Sequence, residues 1–237
     1  MHIRGLKYYF CILTLILFVV FSGCNKDEDN NIHVIDYGYF PADTGHWVTY
    51  YIEEINIDAD VDVYDTSRYY IKEVIESEFI DNENRPALRI ERYTRENDTM
   101  SWEIKDIWYA NLLTASAQKV EENIRYVKLT FPVVLYNAWD GNAYNTYSAQ
   151  EYQITNLDSA ETINDIYLDS VLTVLQRDDE SLIEKYYAVE KYAKNIGLVY
   201  KNEINIEYAI PDPGIPIEDR ISVGTLYTQT ITGYGPE

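Results

Sequence analysis

The sequence predicts a mostly β domain, an antiparallel meander that forms a sandwich or a strongly curved half-barrel, with little helix beyond an N-terminal export signal. Two observations carry this prediction. Tyrosine is unusually frequent, at 24 of 237 residues, and tyrosine and the β-branched residues favour strands. Hydrophobic side chains recur at every second position after residue 46, and no long segment has the 3.6-residue period that parallel βαβ units need.

The first half of the domain contains four predicted strands. The first begins at Trp47 and alternates apolar side chains with Glu54, Asn56 and Asp58. Strands near 69–75 and 88–91 flank a turn at residues 81–84, and a fourth contains Trp102 and Trp108. Residues 113–122 are the most helix-tolerant segment and predict one or two helical turns.

The second half continues the same pattern. Residues 127–131 alternate as a strand that Pro132 ends, because proline cannot donate a hydrogen bond to a β-ladder. Further strands are predicted near 166–174, 182–192, 204–208 and 223–232, separated by short polar turns. The result is about ten strands in meander order.

The N-terminus predicts export followed by lipid attachment. Arg4 and Lys7 precede an apolar run from Tyr8 to Phe21, which has the length of a signal-peptide core and is short for a membrane-spanning helix. Residues 21–24 (FSGC) then resemble a bacterial lipobox, in which Cys24 receives acyl chains such as palmitate. Several chains anchor a protein stably in a membrane.

The acidic segment after Cys24 indicates how the domain is held. Residues 25–31 read NKDEDNN, a composition typical of a flexible tether. We therefore predict a signal peptide at 1–23, a tether at 24–36 and a single β domain at 37–237. Acids directly after a lipobox resemble the surface-export signal of Bacteroidetes lipoproteins. This predicts an outer-membrane location at the cell surface, with the periplasmic face as the alternative.

Composition excludes several function classes. The net charge is −21, and loss of the signal removes Arg4 and Lys7 but no acid, which argues against nucleic acid as a partner. Cys11 would leave with the signal, so only the acylated Cys24 remains and no disulfide is expected. His46 is the one histidine placed in the domain, which disfavours a zinc site or a catalytic triad. We expect no cofactor.

Residues 136–147 are the best candidate for a ligand-binding loop. Sugar sites use flat aromatic faces for stacking, with amides and carboxylates that bind hydroxyl groups. The candidate residues are Tyr136, Trp139, Asp140, Asn142, Tyr144 and Tyr147. The alternative is a loop whose Trp139 plugs one end of the core.

A group of aspartates suggests a weaker candidate site. Asp58, Asp60 and Asp62 suggest calcium, but an EF-hand needs glycine and glutamate where this chain has Val63 and Tyr69. We therefore interpret the three aspartates as a solvated strand face, with a weak Ca²⁺ site between strands as the alternative.

Three short sequons predict O-glycosylation. Thr99, Ser159 and Ser170 each follow an aspartate and precede an apolar or small residue, a pattern similar to the Bacteroidetes O-glycosylation sequon. Thr99, in a predicted turn, should be the most accessible.

Taken together, the chain resembles a family of uncharacterised Bacteroidetes lipoproteins. The resemblance rests on the Cys24 lipobox, the tether and four segments: 40–50, 106–110, 131–142 and 192–200. It implies a family and no activity. The leading hypothesis is a lipid-anchored, non-enzymatic binding module for a glycan, peptide or protein partner. The alternatives are a carrier of a lipophilic ligand, as in lipoprotein carriers of the LolA type, and a hydrolase with paired carboxylates.

Overall fold

Twelve β-strands form one antiparallel sheet in the computed structural model, which describes residues 36–209 and 214–236, without the side chain of Glu218. The export signal, Cys24 and all of the tether except Asp36 lie outside the described residues. Among the described residues, no helix is long and apolar enough to cross a membrane. The strands are β1 (His46–Asp58), β2 (Val63–Ile80), β3 (Pro86–Arg95), β4 (Glu103–Leu112), β5 (Ser116–Glu121), β6 (Ile124–Thr130), β7 (Ala138–Asp140), β8 (Glu151–Ile163), β9 (Ile166–Glu180), β10 (Glu184–Ala193), β11 (Gly197–Tyr208) and β12 (Ile221–Pro236).

The sheet consists of two six-stranded meanders joined by the first and last strands. Its order is β6-β5-β4-β3-β2-β1-β12-β11-β10-β9-β8-β7. The central pair extends from Trp47 opposite Gly235 to Asp58 opposite Val223, with one register shift between Thr49 and Tyr50. The prediction of a mostly β, curved antiparallel meander is confirmed. The sandwich alternative is wrong for the described strands, because all twelve belong to one sheet.

Strong curvature brings the two edges of the sheet together. Register shifts interrupt most strand pairs, for example between Thr49 and Tyr50 and between Lys191 and Tyr192, and such bulges bend and twist the strands that carry them. The Val127 N–H on β6 donates to the Gly141 carbonyl just after β7, at 2.9 Å. This contact, which we call the seam, makes the sheet nearly a closed barrel.

Two local predictions are wrong. Residues 113–122 contain strand β5 instead of helical turns, because pairing with β4 and β6 outweighs a modest helix propensity. The second concerns the aspartates at 58–62. Strand β1 ends at Asp58, a 3₁₀ turn occupies Ala59–Val61, and Asp62 adopts a left-handed conformation. These acids form a hairpin turn and not a strand face.

Residues 36–45 form a strap that crosses one end of the sheet. Tyr39 is buried in the strap, and its hydroxyl donates to Asp158 and lies 2.7 Å from the Ser170 hydroxyl. The backbone N–H of Gly45 donates to Ile75 on the opposite side, at 2.8 Å. The strap therefore closes the end of the sheet at which the described chain begins. The other end carries hairpin turns, and we call it the hairpin end.

Candidate functional site

Charged side chains line the middle of the concave face, where a small β domain usually has an apolar core. Their charges alternate in sign along a chain of contacts, and we call them the charge ladder. In order of contact its members are Asp106, Arg92, Glu73, Lys119, Glu121, Lys128 and Glu190. Buried charges are costly unless each is paired, and here each member contacts a neighbour of opposite sign.

The first half of the ladder is centred on Glu73 of β2. Its two carboxylate oxygens lie 3.0 Å from Arg92 Nε and 2.8 Å from Lys119 Nζ. Arg92 also contacts Asp106 at 3.0 Å, and its guanidinium carbon lies 3.5 Å from the centre of the Trp108 ring. The planar guanidinium can satisfy two carboxylates and stack at the same time.

The second half of the ladder crosses the interior from β6 to β10. Lys128 Nζ lies 2.8 Å from Glu190 and 3.2 Å from Glu121. Glu190 is 1% exposed and also accepts a hydrogen bond from the Tyr192 hydroxyl. This contact joins the two meanders on the side opposite the β1–β12 pair.

The cations of the ladder lower the pKa values of its three glutamates. Burial would raise the pKa of Glu73, but Lys119 and Arg92 outweigh burial and lower it. Burial is likewise outweighed at Glu121, where Lys128 and Lys119 lower the pKa to about 2. At Glu190 burial again opposes Lys128, and the pKa falls below its ordinary value.

These shifts predict acid-dependent unfolding. The folded pKa of Glu121 is about 2 against an ordinary value of 4.5, so its stabilisation is complete above pH 4.5 and is lost as the pH falls toward 2. We expect urea midpoints to fall steeply across this window, and less steeply in Glu121→Gln. Parallel pH profiles for the two proteins would contradict the assignment.

A polar pocket of about 220 Å³ lies beside the seam, next to Glu121 and Lys128. We call it the seam pocket. Three tyrosines and three amides line it: Tyr126, Tyr147, Tyr152, Asn142, Gln150 and Gln176. Lys201 and Arg177 line its wall, each paired with a carboxylate: Lys201 with Glu203 at 2.9 Å and Arg177 with Asp179 at 2.7 Å.

Gln176 is the most informative residue of the pocket. Its side chain is 4% exposed, and its Nε2 has no hydrogen-bond partner among the described residues. A buried amide donor without a partner costs about 1–3 kcal/mol. The wall of the pocket therefore contains a buried amide donor without a protein partner.

The predicted ligand loop supplies only part of this pocket. Asn142 and Tyr147 line it, whereas Tyr136 and Tyr144 are 67% and 60% exposed outside it. Asp140 Oδ1 instead accepts hydrogen bonds from the backbone N–H groups of Asn142 and Gln150, with N–O distances of 2.9 and 3.0 Å.

Several predicted recognition groups thus hold the loop together. The Asn142 side chain also donates to the Ser148 carbonyl at 2.7 Å, so this amide is engaged within the loop. The polar groups of Asp140 and Asn142 fix the backbone that carries Tyr147 to the pocket.

Trp139 packs in the core beside the seam. Its ring meets Tyr152 edge-on with centroids 6.2 Å apart, and its indole N–H donates to the Val127 carbonyl at 2.8 Å. Tyr152 in turn lies against Gly141: a Cβ at this position would come within 2.6 Å of Tyr152 Cε1 and closer to Cε2 and Cζ. Glycine at 141 is therefore required for Tyr152 to line the pocket.

The sequence pattern did not single out Gln176, Lys201 or Glu203, which line the pocket. One signal could have identified Gln176: it continues the buried alternation of Leu172 and Val174 on β9, where a further apolar residue is expected. Lys201 and Glu203 pair with each other only two residues apart, so in the sequence they look like an ordinary solvated strand face.

The other candidate residues lie outside the pocket. Thr99 is exposed in the turn between β3 and β4, whereas the hydroxyls of Ser159 and Ser170 bond to Asn156 and Asp158 within the sheet. No group of three or more His, Cys, Asp or Glu side chains within residues 36–209 and 214–236 is arranged to hold a metal ion.

A second cavity, of about 80 Å³, lies beneath the strap. Phe40, Val48 and Ile90 contribute to an apolar wall, and Glu73 and Lys128 to a charged one. This cavity is small beside the roughly 300–1,000 Å³ typical of ligand sites.

No protein-family model and no curated protein matches the chain. Two solved structures are similar to it, each at 12% identity. One, from Bacteroides fragilis NCTC 9343, is described as exported with a YmcC-like fold; the match covers 82% of this chain and 98% of that chain, with a TM-score of 0.39. The other, from Parabacteroides distasonis ATCC 8503, is described as a lipoprotein; the match covers 83% and 98%, with a TM-score of 0.37.

Proposed function

We propose that the domain is a non-enzymatic binding module that holds a neutral sugar ring in the seam pocket. The observation that carries the proposal is the unpartnered Nε2 of Gln176 in a pocket lined by tyrosines and amides. A sugar hydroxyl or ring oxygen would accept this hydrogen bond. Tyr126 and Tyr147 line the pocket and would supply the aromatic side chains for contact with the C–H surface of the ring.

Charge and size favour a small neutral ligand. Lys128, Lys201 and Arg177 each already contact a carboxylate, so an anionic ligand would have to compete with existing ion pairs. At about 220 Å³, the pocket is smaller than the roughly 300–1,000 Å³ typical of sites for drug-sized ligands. One sugar ring suits this volume.

The alternative functions find less support. A lipid carrier needs a continuous apolar cavity, but the cavity beneath the strap is small and has a charged wall. A glycoside hydrolase needs a carboxylic acid with a raised pKa, whereas the pKa values of Glu73, Glu121 and Glu190 are lowered. Peptide addition to a sheet needs a free edge, and the seam occupies β6 at Val127.

The location is also part of the proposal. We propose that acyl chains on Cys24 anchor the domain in the outer membrane and that the acidic tether displays it at the cell surface. This rests on residues 1–31 of the sequence. Protease treatment of intact cells should remove the domain, and survival of the full-length protein would contradict surface display.

Gln176→Leu tests the sugar site. Leucine fills a similar volume without the unpaired amide, so we expect an unchanged or higher melting temperature together with loss of binding. Saturation-transfer NMR of the purified protein with D-glucose, D-galactose, D-mannose and N-acetyl-D-glucosamine measures binding. Gln153→Leu is the matched control, because Gln153 bonds to the Tyr136 carbonyl and does not line the pocket. The proposal fails if none of the four sugars binds, or if Gln176→Leu binds as the unmodified protein does.

A further inference from the structure

A second pocket lies on the same face of the sheet, nearer the hairpin end, and combines polar side chains with the apolar Ile57, Val63 and Val223. It has a volume of about 300 Å³, and we call it the rim pocket. Its side chains include Asn56, Asp58, Tyr186, Asn205, Glu207 and Thr225. Strand register places these residues on one face, since Asn56 and Asn205 both pair with Thr225, and Tyr186 pairs with Asn205.

Strand β11 connects the two pockets. Lys201 and Glu203 line the seam pocket, and Asn205 and Glu207, the next two residues on that face, line the rim pocket. At about 3.3 Å per residue, the six steps from Lys201 to Glu207 cover about 20 Å. The two pockets therefore follow one another along β11 on the same face of the sheet.

Strand β10 and an arginine on β9 form the junction. Arg177 lines the seam pocket, and its guanidinium carbon lies 3.9 Å from the centre of the Tyr186 ring, which lines the rim pocket. Ala188 lies between Glu190 and Tyr186 on this face of β10 and contributes only a methyl group. The cation–π contact holds the tyrosine ring at the boundary between the pockets.

We propose that the ligand is an oligosaccharide, with one ring in the seam pocket and a following ring in the rim pocket. This inference rests on the proposed function and extends it to a second subsite. Asp58 and Glu207 have no cation within ion-pair distance among the described residues, so their oxygens are available to accept hydrogen bonds from sugar hydroxyls. Tyr186 supplies an aromatic ring in the next row of the sheet, beside Asn205.

Calorimetric titration of the purified protein with sugars of increasing length tests the second subsite. The probes are glucose, maltose, maltotetraose, cellobiose and cellotetraose, with the di- and tetrasaccharides of mannose and galactose. We expect one tetrasaccharide to bind at least about tenfold more tightly than its monosaccharide, as one or two further hydrogen bonds provide. Asn205→Ala and Tyr186→Leu should each remove that gain while monosaccharide binding is retained. Asn202→Ala is the control, because Asn202 lies on β11 and faces the other side of the sheet.

The outcomes separate the two proposals. Equal affinity for mono- and tetrasaccharides, or a gain that survives both rim substitutions, overturns the second subsite and leaves the seam pocket in place. Absence of binding at every length overturns both. An extended Gly-Ser-Thr decapeptide is titrated in parallel, and tighter binding of this peptide than of any sugar would overturn the oligosaccharide assignment.

Discussion

Replacing Lys128 by methionine is expected to lower the free energy of unfolding by about 3–5 kcal/mol, the cost typical of breaking a buried ion pair from one side. Methionine retains most of the buried stem and removes only the charge. Glu190 and Glu121, which lie 2.8 and 3.2 Å from Lys128 Nζ, would then be buried without their shared partner. Urea denaturation followed by circular dichroism measures the loss.

Lys185→Met is the matched control for this substitution. Lys185 also pairs with a glutamate, Glu180, at 3.0 Å, but 32% and 50% of the two side chains are exposed. Exposed pairs contribute about 0–1 kcal/mol, so we expect little change. Adding Glu190→Gln to Lys128→Met should recover part of the stability, because one buried charge disappears. Equal losses for Lys128→Met and Lys185→Met would contradict the role of the charge ladder.

Gly141→Ala is expected to cost about 1–3 kcal/mol, the range typical of overpacking a filled core. The added methyl group would meet the ring of Tyr152 at 2.6 Å or less. Tyr152 is 7% exposed and packs against Trp139, so the ring has little room to move. Since Tyr152 also lines the seam pocket, sugar binding should weaken together with stability.

Gly233→Ala provides the comparison for Gly141→Ala. A Cβ at Gly233 would come no closer than 3.2 Å to another group, the Thr49 hydroxyl, and we expect a change below about 1 kcal/mol because alanine is favoured over glycine within strands. Combining Gly141→Ala with Tyr152→Leu should cost less than the sum of the two single changes. If the stability losses of the two single changes simply add in the double variant, the two residues do not clash.

The strand pattern was predictable because it depends on local chemistry. Alternation around Trp47, Thr49 and Tyr51 identifies β1, and Pro132 follows the end of β6 at Thr130 as expected. Closure of the sheet was not predictable, because it depends on bulges and on the contact between Val127 and Gly141 across the seam. The prediction of helical turns at 113–122 is wrong because its small residues tolerate a helix, and only pairing with β4 and β6 makes this segment a strand.

The site was predictable only where its residues cluster in the sequence. Tyr147 and Asn142 were identified because the loop is rich in aromatic and amide residues. Lys119 and Glu121 on β5 and Lys128 on β6 look like solvated alternation in the sequence, but the curvature of the sheet turns them inward onto partners such as Glu190. Such long-range pairing leaves no local signal.

The side-chain amide signals of Gln176 give the most direct test of the sugar site. In ¹⁵N-labelled protein they are identified by their loss in Gln176→Leu, and those of Gln153 by their loss in Gln153→Leu. On titration with D-glucose, D-galactose, D-mannose and N-acetyl-D-glucosamine, at least one sugar should move the Gln176 signals to saturation and leave those of Gln153 in place. If no sugar moves the Gln176 signals, or if both pairs move alike, the seam pocket is not a sugar site.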